Sequence, residues 1–484
     1  MSYGVNTIHK KLRSELENYI KSQYFGKSPL LLDAVSDRLD REGLMYREPY
    51  IESSPAYKTA RRGFETINLP NWLKQFFIRL GNAGLGVYLT PFVHQMQALE
   101  AATAGRDLFV STGTGSGKTE CFMWPLIAKL AAEAYNSPSI WEMRGVRVMI
   151  MYPMNALVSD QISRLRRSIG DNDRKFIEIF RDVCGENVRR PQFGMYTGRT
   201  PYPGALPDRK QDRQLKRTLE LITESEDAEF FNRLVSEGKI PAKSNMQEFI
   251  AGLENGLHIP NPEDAELITR FEMQRCSPDI LITNYSMLEY MLMRPREQNI
   301  WNETRAWLDA DPSNKLLFVI DEAHMYKGSS GGEVALLIRR LLYKLGIARD
   351  RVQFILTTAS MPDNPKAVAE FFNALTASEK AHGFEHLIGE REELTSDRNF
   401  DIDSKKLLQC SADEFEGDED ARLNALNNFW NDIEGAPKHF SSPKEAYAWL
   451  YDHLIEYRPF AEIICRCRGE AVSLNELATT IFPT

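Results

Sequence analysis

The amino-acid sequence predicts an α/β fold with a mostly parallel sheet, and three of its features lead to this prediction. Short apolar runs alternate with longer stretches of helical periodicity between residues 86 and 375. The runs are rich in Val, Ile, Leu and Met with little alternation, as expected for parallel strands buried on both faces. A glycine-rich turn joins the first run to a helical stretch, and polar residues follow each run.

The predicted strands share this composition and read, in chain order, DLFVST, VRVMIMYP, QFGMYTG, PDILITN, LLFVIDE and VQFILTTAS. Residues 1–85 carry apolar residues at helical spacing, as in NWLKQFFIRL, and predict an N-terminal helical segment. The strand pattern disappears over residues 201–275, which we interpret as a helical insertion. Residues 376–484 are polar and again helical, so the α/β domain is expected to cover residues 86–375.

Length and composition are those of a globular protein with two or three domains, since the chain has 484 residues, of which 43% are hydrophobic and 26% charged. No apolar stretch approaches the roughly 18 residues of a membrane span, and the polar N-terminus does not resemble a signal peptide. We therefore expect a cytoplasmic protein with no membrane partner. The six cysteines lack C-x-x-C spacing, which argues against a zinc site or a disulfide framework.

The formal net charge of −9 argues against a protein that coats nucleic acid through its overall charge. Local basic segments occur at 164–175 and 208–217, while much of the acidic excess lies at 411–422. Each segment taken alone fits a solvated helix face, so charge by itself assigns no partner.

The glycine-rich turn STGTGSGKTE, residues 111–120, predicts a phosphate-binding loop. Its glycines permit positive φ and a close approach of backbone N–H groups to a nucleotide phosphate. Lys118 can reach the β and γ phosphates, and the Thr119 hydroxyl can hold Mg²⁺. The usual pattern begins with glycine, whereas Thr112 stands there in this chain. The predicted nucleotide-binding residues are Thr114, Gly115, Ser116, Gly117, Lys118, Thr119 and Glu120.

The run LLFVIDEAH, residues 316–324, places an acidic pair at the end of a predicted buried strand. Asp321 can bind Mg²⁺ through water, and Glu322 can orient or deprotonate an attacking water. We predict that Asp321, Glu322 and Lys118 are the catalytic residues, with Thr119 and Asp321 as metal ligands.

Upstream of the loop, Gln95 in LTPFVHQMQALE has an amide that can donate and accept at once, as an adenine edge requires. The alternative is a surface glutamine on an amphipathic helix. Together, the loop, the acidic pair and this glutamine predict ATP and Mg²⁺ as cofactors.

Polar loops follow four other predicted strands, with the sequences YPMNALVSDQ, YTGRT, TNYSMLEYML and TTASMP. Open α/β sheets bind their ligands at the carboxyl ends of the strands. Hydroxyls, amides and backbone N–H groups gathered at that edge suit contacts to phosphodiesters.

The order of these motifs resembles the first RecA-like domain of a superfamily 2 helicase of the DEAD/DEAH type. The flanks DEAHMYKGSSGGEVALLIRRL and TNYSMLEYMLMRP are similar to those of MrfA-like repair helicases and of helicases in antiviral systems such as Druantia and DISARM. The resemblance covers about residues 86–375.

The resemblance implies a role for each matching residue. Gln95 would read adenine, and His324 would contact the segment containing Thr358 and Ser360, coupling the ATP site to the nucleic acid. The implied nucleic-acid track consists of Pro153, Asn155, Thr197, Gly198, Arg199, Thr283 and Asn284.

Complete helicases of this class also have a second RecA-like domain with a Q-x-x-G-R-x-x-R motif, and no such motif follows Ser360. Residues 367–392 resemble the crossover towards that domain, and SLNELATTIF resembles a helical or winged-helix module. We therefore expect a truncated or split helicase, completed by a second domain or subunit in cis or in trans.

Two alternatives remain open from the sequence. One is a switch or scaffold that binds ATP and nucleic acid without unwinding, and the other is an RNA helicase. The MrfA-like flanks favour DNA as the partner.

Overall fold

The structure is a computed structural model that describes residues 5–25, 31, 35–36, 38–39, 43–47, 49–60, 62–113, 115–204, 208–223, 228–255, 258–359, 364–378, 383–392, 412–415, 417–430, 439–453 and 457–481. Two residues of the predicted site, Thr114 and Ser360, lie outside these ranges. The chain divides into two compact units. The larger is Tyr57–Glu390, and the smaller combines Met1–Ala56 with Arg391–Thr484.

The larger unit is built on an eight-stranded sheet in which every neighbouring pair is parallel. Its strands are β2 Asp107–Ser111, β3 Val148–Tyr152, β4 Phe193–Tyr196, β5 Glu266–Leu267, β6 Ile280–Asn284, β7 Leu316–Ile320, β8 Val352–Thr358 and β9 Phe384–Ile388. Their order across the sheet is β5-β4-β6-β3-β7-β8-β2-β9. The predicted α/β class with a parallel sheet is confirmed.

Helices cover the sheet, as parallel strands require. They are α2 Asn71–Asn82, α3 Val93–Thr103, α4 Glu120–Asn136, α5 Pro138–Trp141, α6 Asn155–Arg167, α7 Lys175–Cys184, α8 Arg209–Thr223, α9 Ala228–Ser236, α10 Met246–Glu254, α11 Arg270–Arg275, α12 Tyr285–Met293, α13 Gln298–Ala310, α14 Ser329–Leu345 and α15 Pro365–Leu375. Short 3₁₀ turns occur at Gly63–Glu65, Pro295–Glu297, Ala323–Met325 and Arg349–Arg351.

The sheet separates two apolar cores because successive strand residues face opposite sides. Leu108 and Val110 of β2 pack into one core with α2, α3, α4, α6 and α7. Phe109, between them, packs into the other core with α12, α13, α14 and α15. The strand interiors are therefore apolar on both faces, and polar chemistry is confined to the strand ends.

The smaller unit contains α1 Val5–Ile20, a π-helical turn at Lys21–Phe25, and a two-stranded antiparallel pair of β1 Tyr50–Ile51 and β10 Val472–Ser473. Its other helices are α16 Ala412–Phe415, α17 Glu419–Trp430, α18 Pro443–His453, α19 Arg458–Arg466 and α20 Leu474–Ile481. A small apolar cluster around Leu426, Phe440 and Tyr457 packs α17 against α18. No helix within the described ranges is long and apolar enough to cross a membrane.

All six predicted strands are present, and the sheet contains two more that the sequence analysis did not predict. β5 lies inside the segment interpreted as a helical insertion, and β9 lies inside 376–484, for which only helices were predicted. Both lie at the edges of the sheet. β5 has two residues and β9 is only partly buried, so neither has the continuous apolar pattern that marks a central strand.

Candidate nucleotide-binding site

The phosphate loop connects the end of β2 to the start of α4. Gly115 and Gly117 both have positive φ, at 72° and 68°, which residues with a Cβ rarely adopt. A Cβ at Gly117 would lie 2.2 Å from Gln95 Nε2, so only glycine fits there. The loop leads into the first turn of a 17-residue helix, whose free N–H groups attract anions.

Buried hydrogen bonds fix the shape of this loop. The hydroxyls of Thr112 and Ser116 lie 2.6 Å apart, and Thr112 N–H donates to Thr358 O at 3.2 Å. His94 Nε2 lies 2.8 Å from Ser116 O. Burial lowers the pKa of His94, so its imidazole is neutral and Nε2 carries the proton that the carbonyl accepts.

Gln95 connects α3 to the same loop through its side-chain amide. Its Oε1 accepts from Phe92 N–H at 2.9 Å, and its Nε2 donates to Gly117 O at 3.1 Å. The residue is buried, with 2% of its surface exposed. The structure therefore shows Gln95 positioning the loop, and its reading of adenine stays a prediction.

Asp321 follows β7 directly and is 8% exposed. Its Oδ1 accepts from the Thr357 hydroxyl and from Glu322 N–H, the latter at 2.9 Å. Burial raises the pKa of Asp321, and this effect outweighs the hydrogen bond from Thr357. A buried carboxylate of this kind suits a cation, because a nearby positive charge stabilises its ionised form.

Glu322 lies between the loop lysine and the DEAH histidine. Its Oε1 is 3.4 Å from Lys118 Nζ, and its Oε2 is 3.3 Å from His324 Nδ1. Its φ of 50° is left-handed, a conformation that costs a residue with a side chain about 1–3 kcal/mol. Such strain is commonly retained where side-chain direction matters for function.

His324 also approaches β8, since its Nδ1 lies 3.2 Å from Thr358 Oγ1. The histidine thus touches both the acidic pair and the strand end that precedes Ser360. Its role in coupling stays a prediction, and Ser360 lies outside the described residues.

Glu120 is the first residue of α4, and its Oε1 accepts from Arg164 Nη1 of α6 at 2.9 Å. A cavity of about 490 Å³ adjoins this pair and is also lined by Tyr88 and Trp124. The volume is within the range of small-molecule sites. The arrangement therefore offers space for a nucleoside beside the loop, with Glu120 in its wall.

The predicted nucleic-acid residues follow three adjacent strands, β4, β6 and β3, so they lie at the same edge as the nucleotide site. Gly198 and Arg199 are exposed. Thr197 and Thr283 are buried, with 1% and 0% of their surface exposed.

Both threonines, together with Asn284, support local structure. Thr283 Oγ1 donates to Tyr196 O at 2.8 Å, and Thr197 Oγ1 accepts from Arg199 N–H at 3.2 Å. Asn284 Oδ1 caps α12 by accepting from Met287 N–H at 2.8 Å. Pro153 is half-buried after β3, and Asn155 begins α6.

Three residues of this site were not singled out from the sequence, namely His94, Arg164 and Thr357. His94 and Thr357 lie inside segments that were quoted as motifs, immediately beside Gln95 and Thr358. Arg164 is one basic residue among several in its segment, and only tertiary packing pairs it with Glu120.

Comparison with known proteins agrees with this geometry. The sequence profile of the DEAD/DEAH box helicase family matches residues 92–200 and 243–368, a range that contains the phosphate loop, the acidic pair and Thr358. This part of the chain belongs to the DEAD/DEAH box helicase family. The predicted resemblance to helicases of the DEAD/DEAH type is thereby confirmed.

The relatives of this chain include the Druantia protein DruE of Escherichia coli (strain UMEA 4076-1), which is 36% identical over 99% of the chain and 27% of DruE. A DEAD-box ATP-dependent RNA helicase 41 of Arabidopsis thaliana is 33% identical over 22% of the chain and 20% of its own length. The chain thus spans about a quarter of DruE.

Among solved structures, the DUF1998 helicase MrfA bound to DNA is 17% identical, with a TM-score of 0.38. The match covers 74% of this chain and 34% of MrfA.

The residues of the site fit a magnesium nucleotide. The positive φ of Gly115 and Gly117 lets backbone N–H groups approach a phosphate, and Asp321 is a buried carboxylate that a cation would stabilise. No cluster of three or more metal-binding side chains occurs within the described ranges. In ATP sites, Mg²⁺ is held by one or two protein ligands together with phosphates and water.

Asp321 yields a prediction about stability and metal dependence. Because burial raises its pKa above that in the unfolded chain, ionisation of Asp321 lowers the stability of the fold as pH rises. Asn would keep an oxygen to accept from Thr357 and from Glu322 N–H. We expect Asp321→Asn to leave the midpoint of thermal unfolding unchanged or raised, while Mg²⁺ no longer strengthens ATP binding.

This prediction is checked by thermal unfolding and by ATP titration with and without Mg²⁺. The exposed Asp309→Asn serves as the control and should change neither quantity. A clear drop in the unfolding midpoint of Asp321→Asn would show that the carboxylate is mainly structural.

Proposed function

We propose that this chain supplies the ATP-binding half of a superfamily 2 helicase or translocase that acts on DNA, in repair or in antiphage defence. The observation that carries the proposal is the meeting of Lys118, from the loop after β2, with Glu322, from the end of β7. A phosphate cradle and a water-activating carboxylate within 3.4 Å of each other suit phosphoryl transfer to water.

The residues divide the work on the nucleotide. The N–H groups of the loop and Lys118 bind the β and γ phosphates, and Glu322 orients the attacking water and accepts its proton. Thr119 and Asp321 would hold Mg²⁺, which would supply positive charge to neutralise the phosphates. Because Lys118 already lies beside Glu322, phosphate binding draws the lysine towards the nucleotide and releases the carboxylate for the water.

His324 provides a path from the nucleotide to the nucleic acid. It lies within 3.3 Å of Glu322 and within 3.2 Å of Thr358. A movement of Glu322 during hydrolysis would therefore shift the His324 imidazole, and with it the contact to Thr358 at the end of β8. We propose that this contact couples ATP turnover to the strand-binding edge.

The carboxyl edge of β3, β4 and β6 is the proposed nucleic-acid track. Arg199 and Gly198 are exposed there and can contact phosphodiesters directly. Thr197 and Thr283, being buried, contribute by holding the loops in position. DNA is favoured over RNA because the flanking motifs resemble the MrfA-like repair helicases.

The proposed second half is a RecA-like domain, in cis or in trans, that places arginine on the γ-phosphate. Within the described part of the chain, the basic groups that contact Glu322 are Lys118 and His324. An arginine supplied from elsewhere is worth about 10³–10⁵ in rate in this class of reaction.

The first test separates nucleotide binding from turnover. We expect Lys118→Ala to weaken Mg²⁺-dependent ATP binding at least about ten-fold, because it removes a charge-assisted phosphate contact. Glu322→Gln should retain ATP affinity but lose hydrolysis. Calorimetry with ATP measures affinity, and the exposed Lys366→Ala is the control. Equal affinity in Lys118→Ala and the wild-type chain would refute the phosphate-loop assignment.

The second test concerns the nucleic-acid track. Contacts to phosphodiesters release counterions, so affinity should fall steeply with salt and depend little on sequence. Arg199→Ala should weaken binding, whereas the control Arg106→Ala, on an exposed residue before β2, should not. Fluorescence anisotropy with single-stranded DNA and RNA of equal length identifies the preferred strand. Stronger binding to RNA would favour the RNA helicase alternative.

The third test addresses the missing arginine. Residues 1–484 alone should hydrolyse ATP at a rate about 10³-fold or more below that of a complete helicase, and should not separate strands. A partner that carries the second RecA-like domain should restore turnover stimulated by nucleic acid. Strong stimulated turnover by the isolated chain would refute the half-helicase proposal and would point instead to an arginine supplied by self-association.

A further inference from the structure

A second cavity, of about 390 Å³, lies at the amino ends of the strands, opposite the nucleotide site. Its walls come from the end of α3, the middle of α4, the turn before β7, and β8. The residues that carry polar groups into it include Lys129, Ser137, Ser313, Lys315 and Gln353. The side-chain amide of Gln353 already donates hydrogen bonds from Nε2 to Ala102 O and Arg106 O, at 2.8 Å each.

Two lysines, Lys129 of α4 and Lys315 before β7, line this cavity. Over the ranges that the structure describes, neither ammonium group has a carboxylate or a hydrogen-bond acceptor as partner. Lys129 Nζ lies 5.9 Å above the Trp307 ring. Both lysine side chains are half-buried, and burying a charged group without an anionic partner is costly.

The nearest acid, Glu133, is already engaged. Its Oε1 accepts from Arg147 Nε at 3.1 Å, from Arg147 Nη2 at 2.8 Å and from Trp307 Nε1 at 3.0 Å. The pKa of Lys129 is lowered to about 8, chiefly by burial and also by the charges of Arg147 and Lys315, while the charge of Glu133 acts in the opposite direction. Positive charge around the cavity therefore exceeds what Glu133 balances.

We propose that this cavity binds a small phosphorylated molecule, whose phosphate lies between Lys129 and Lys315. A phosphate monoester carries close to two negative charges at neutral pH, which matches two unpaired ammonium groups. The hydroxyls of Ser137 and Ser313 supply further donors. The volume accommodates a ligand of about nucleotide size. Since Lys129 and the first residue after the phosphate loop belong to the same helix, α4 runs from one site to the other.

Pyridoxal 5′-phosphate is a suitable probe because it combines a phosphate monoester with an aldehyde. The neutral Lys129 amine attacks the aldehyde carbon, and loss of water leaves an imine. Borohydride then delivers hydride to the imine carbon, giving a stable secondary amine. Peptide mass spectrometry measures labelling at each lysine, so labelling of Lys118 in the nucleotide site is distinguished from labelling of Lys129.

At pH 7.5 we expect Lys129 to be labelled at least about ten-fold faster than the exposed Lys366. The rate should saturate with reagent, and millimolar inorganic phosphate should slow labelling of Lys129 but not of Lys366. Lys315→Met should also slow labelling of Lys129, because it removes a phosphate ligand and a neighbouring positive charge. Lys118→Ala should leave labelling of Lys129 unchanged.

The wild-type protection experiment tests the site without any substitution. Labelling of Lys129 that does not saturate, or that inorganic phosphate does not slow, would overturn the proposal and leave only a reactive lysine. Protection by single-stranded DNA as strong as that by inorganic phosphate would also overturn it, since the surface would then bind polyanions in general. These outcomes are independent of ATP binding at Lys118.

Discussion

The constraint on which the rest of this structure depends is that its central strands are buried on both faces. Every residue of β3, β7 and β8 is buried, and alternate residues enter two separate apolar cores. Such strands cannot carry polar side chains that lack hydrogen-bond partners, since burying an unpaired polar group is costly. Chemistry is therefore concentrated at the strand ends, where the chain leaves the sheet and its backbone N–H groups become available.

At the carboxyl edge, a few contacts link elements that are far apart in sequence. Lys118 meets Glu322, Glu322 meets His324, and His324 meets Thr358. These residues follow three different strands, β2, β7 and β8, which are neighbours in the sheet. The left-handed conformation of Glu322 turns its side chain towards both partners, and the stability of the surrounding sheet compensates for that strain.

At the amino edge of the sheet, one cluster of buried charged side chains is fully paired, whereas the lysines of the nearby cavity are not paired within the described residues. Asp279, which precedes β6, is fully buried and accepts two hydrogen bonds from Arg189 at 2.7 Å each. Burial alone would raise the pKa of Asp279, but Arg189 and Arg147 outweigh it and hold the pKa low. That cluster is satisfied and structural. Among the described residues, the lysines of the nearby cavity have no comparable partners, and this contrast motivates the proposed anion site.

The sequence by itself determined the α/β class, the six central strands, and the composition of the phosphate loop and the acidic pair. These features are local. A buried parallel strand has a recognisable apolar run. A glycine-rich loop between a strand and a helix, followed by Lys and Thr, is typical of phosphate binding. Edge strands β5 and β9 were missed because β5 has only two residues and β9 is not fully buried.

Only the tertiary structure decided which polar residues meet. Tertiary packing forms the hydrogen bonds between Thr357 and Asp321, between His94 and Ser116, and between Arg164 and Glu120. It also buries Thr197 and Thr283. It also brought Lys129 and Lys315 to one cavity although 186 positions separate them in the numbering, from 129 to 315. The physical reason is that hydrogen bonds and charge pairs depend on distances between elements, which the order of strands in the sheet sets and the local sequence pattern does not contain.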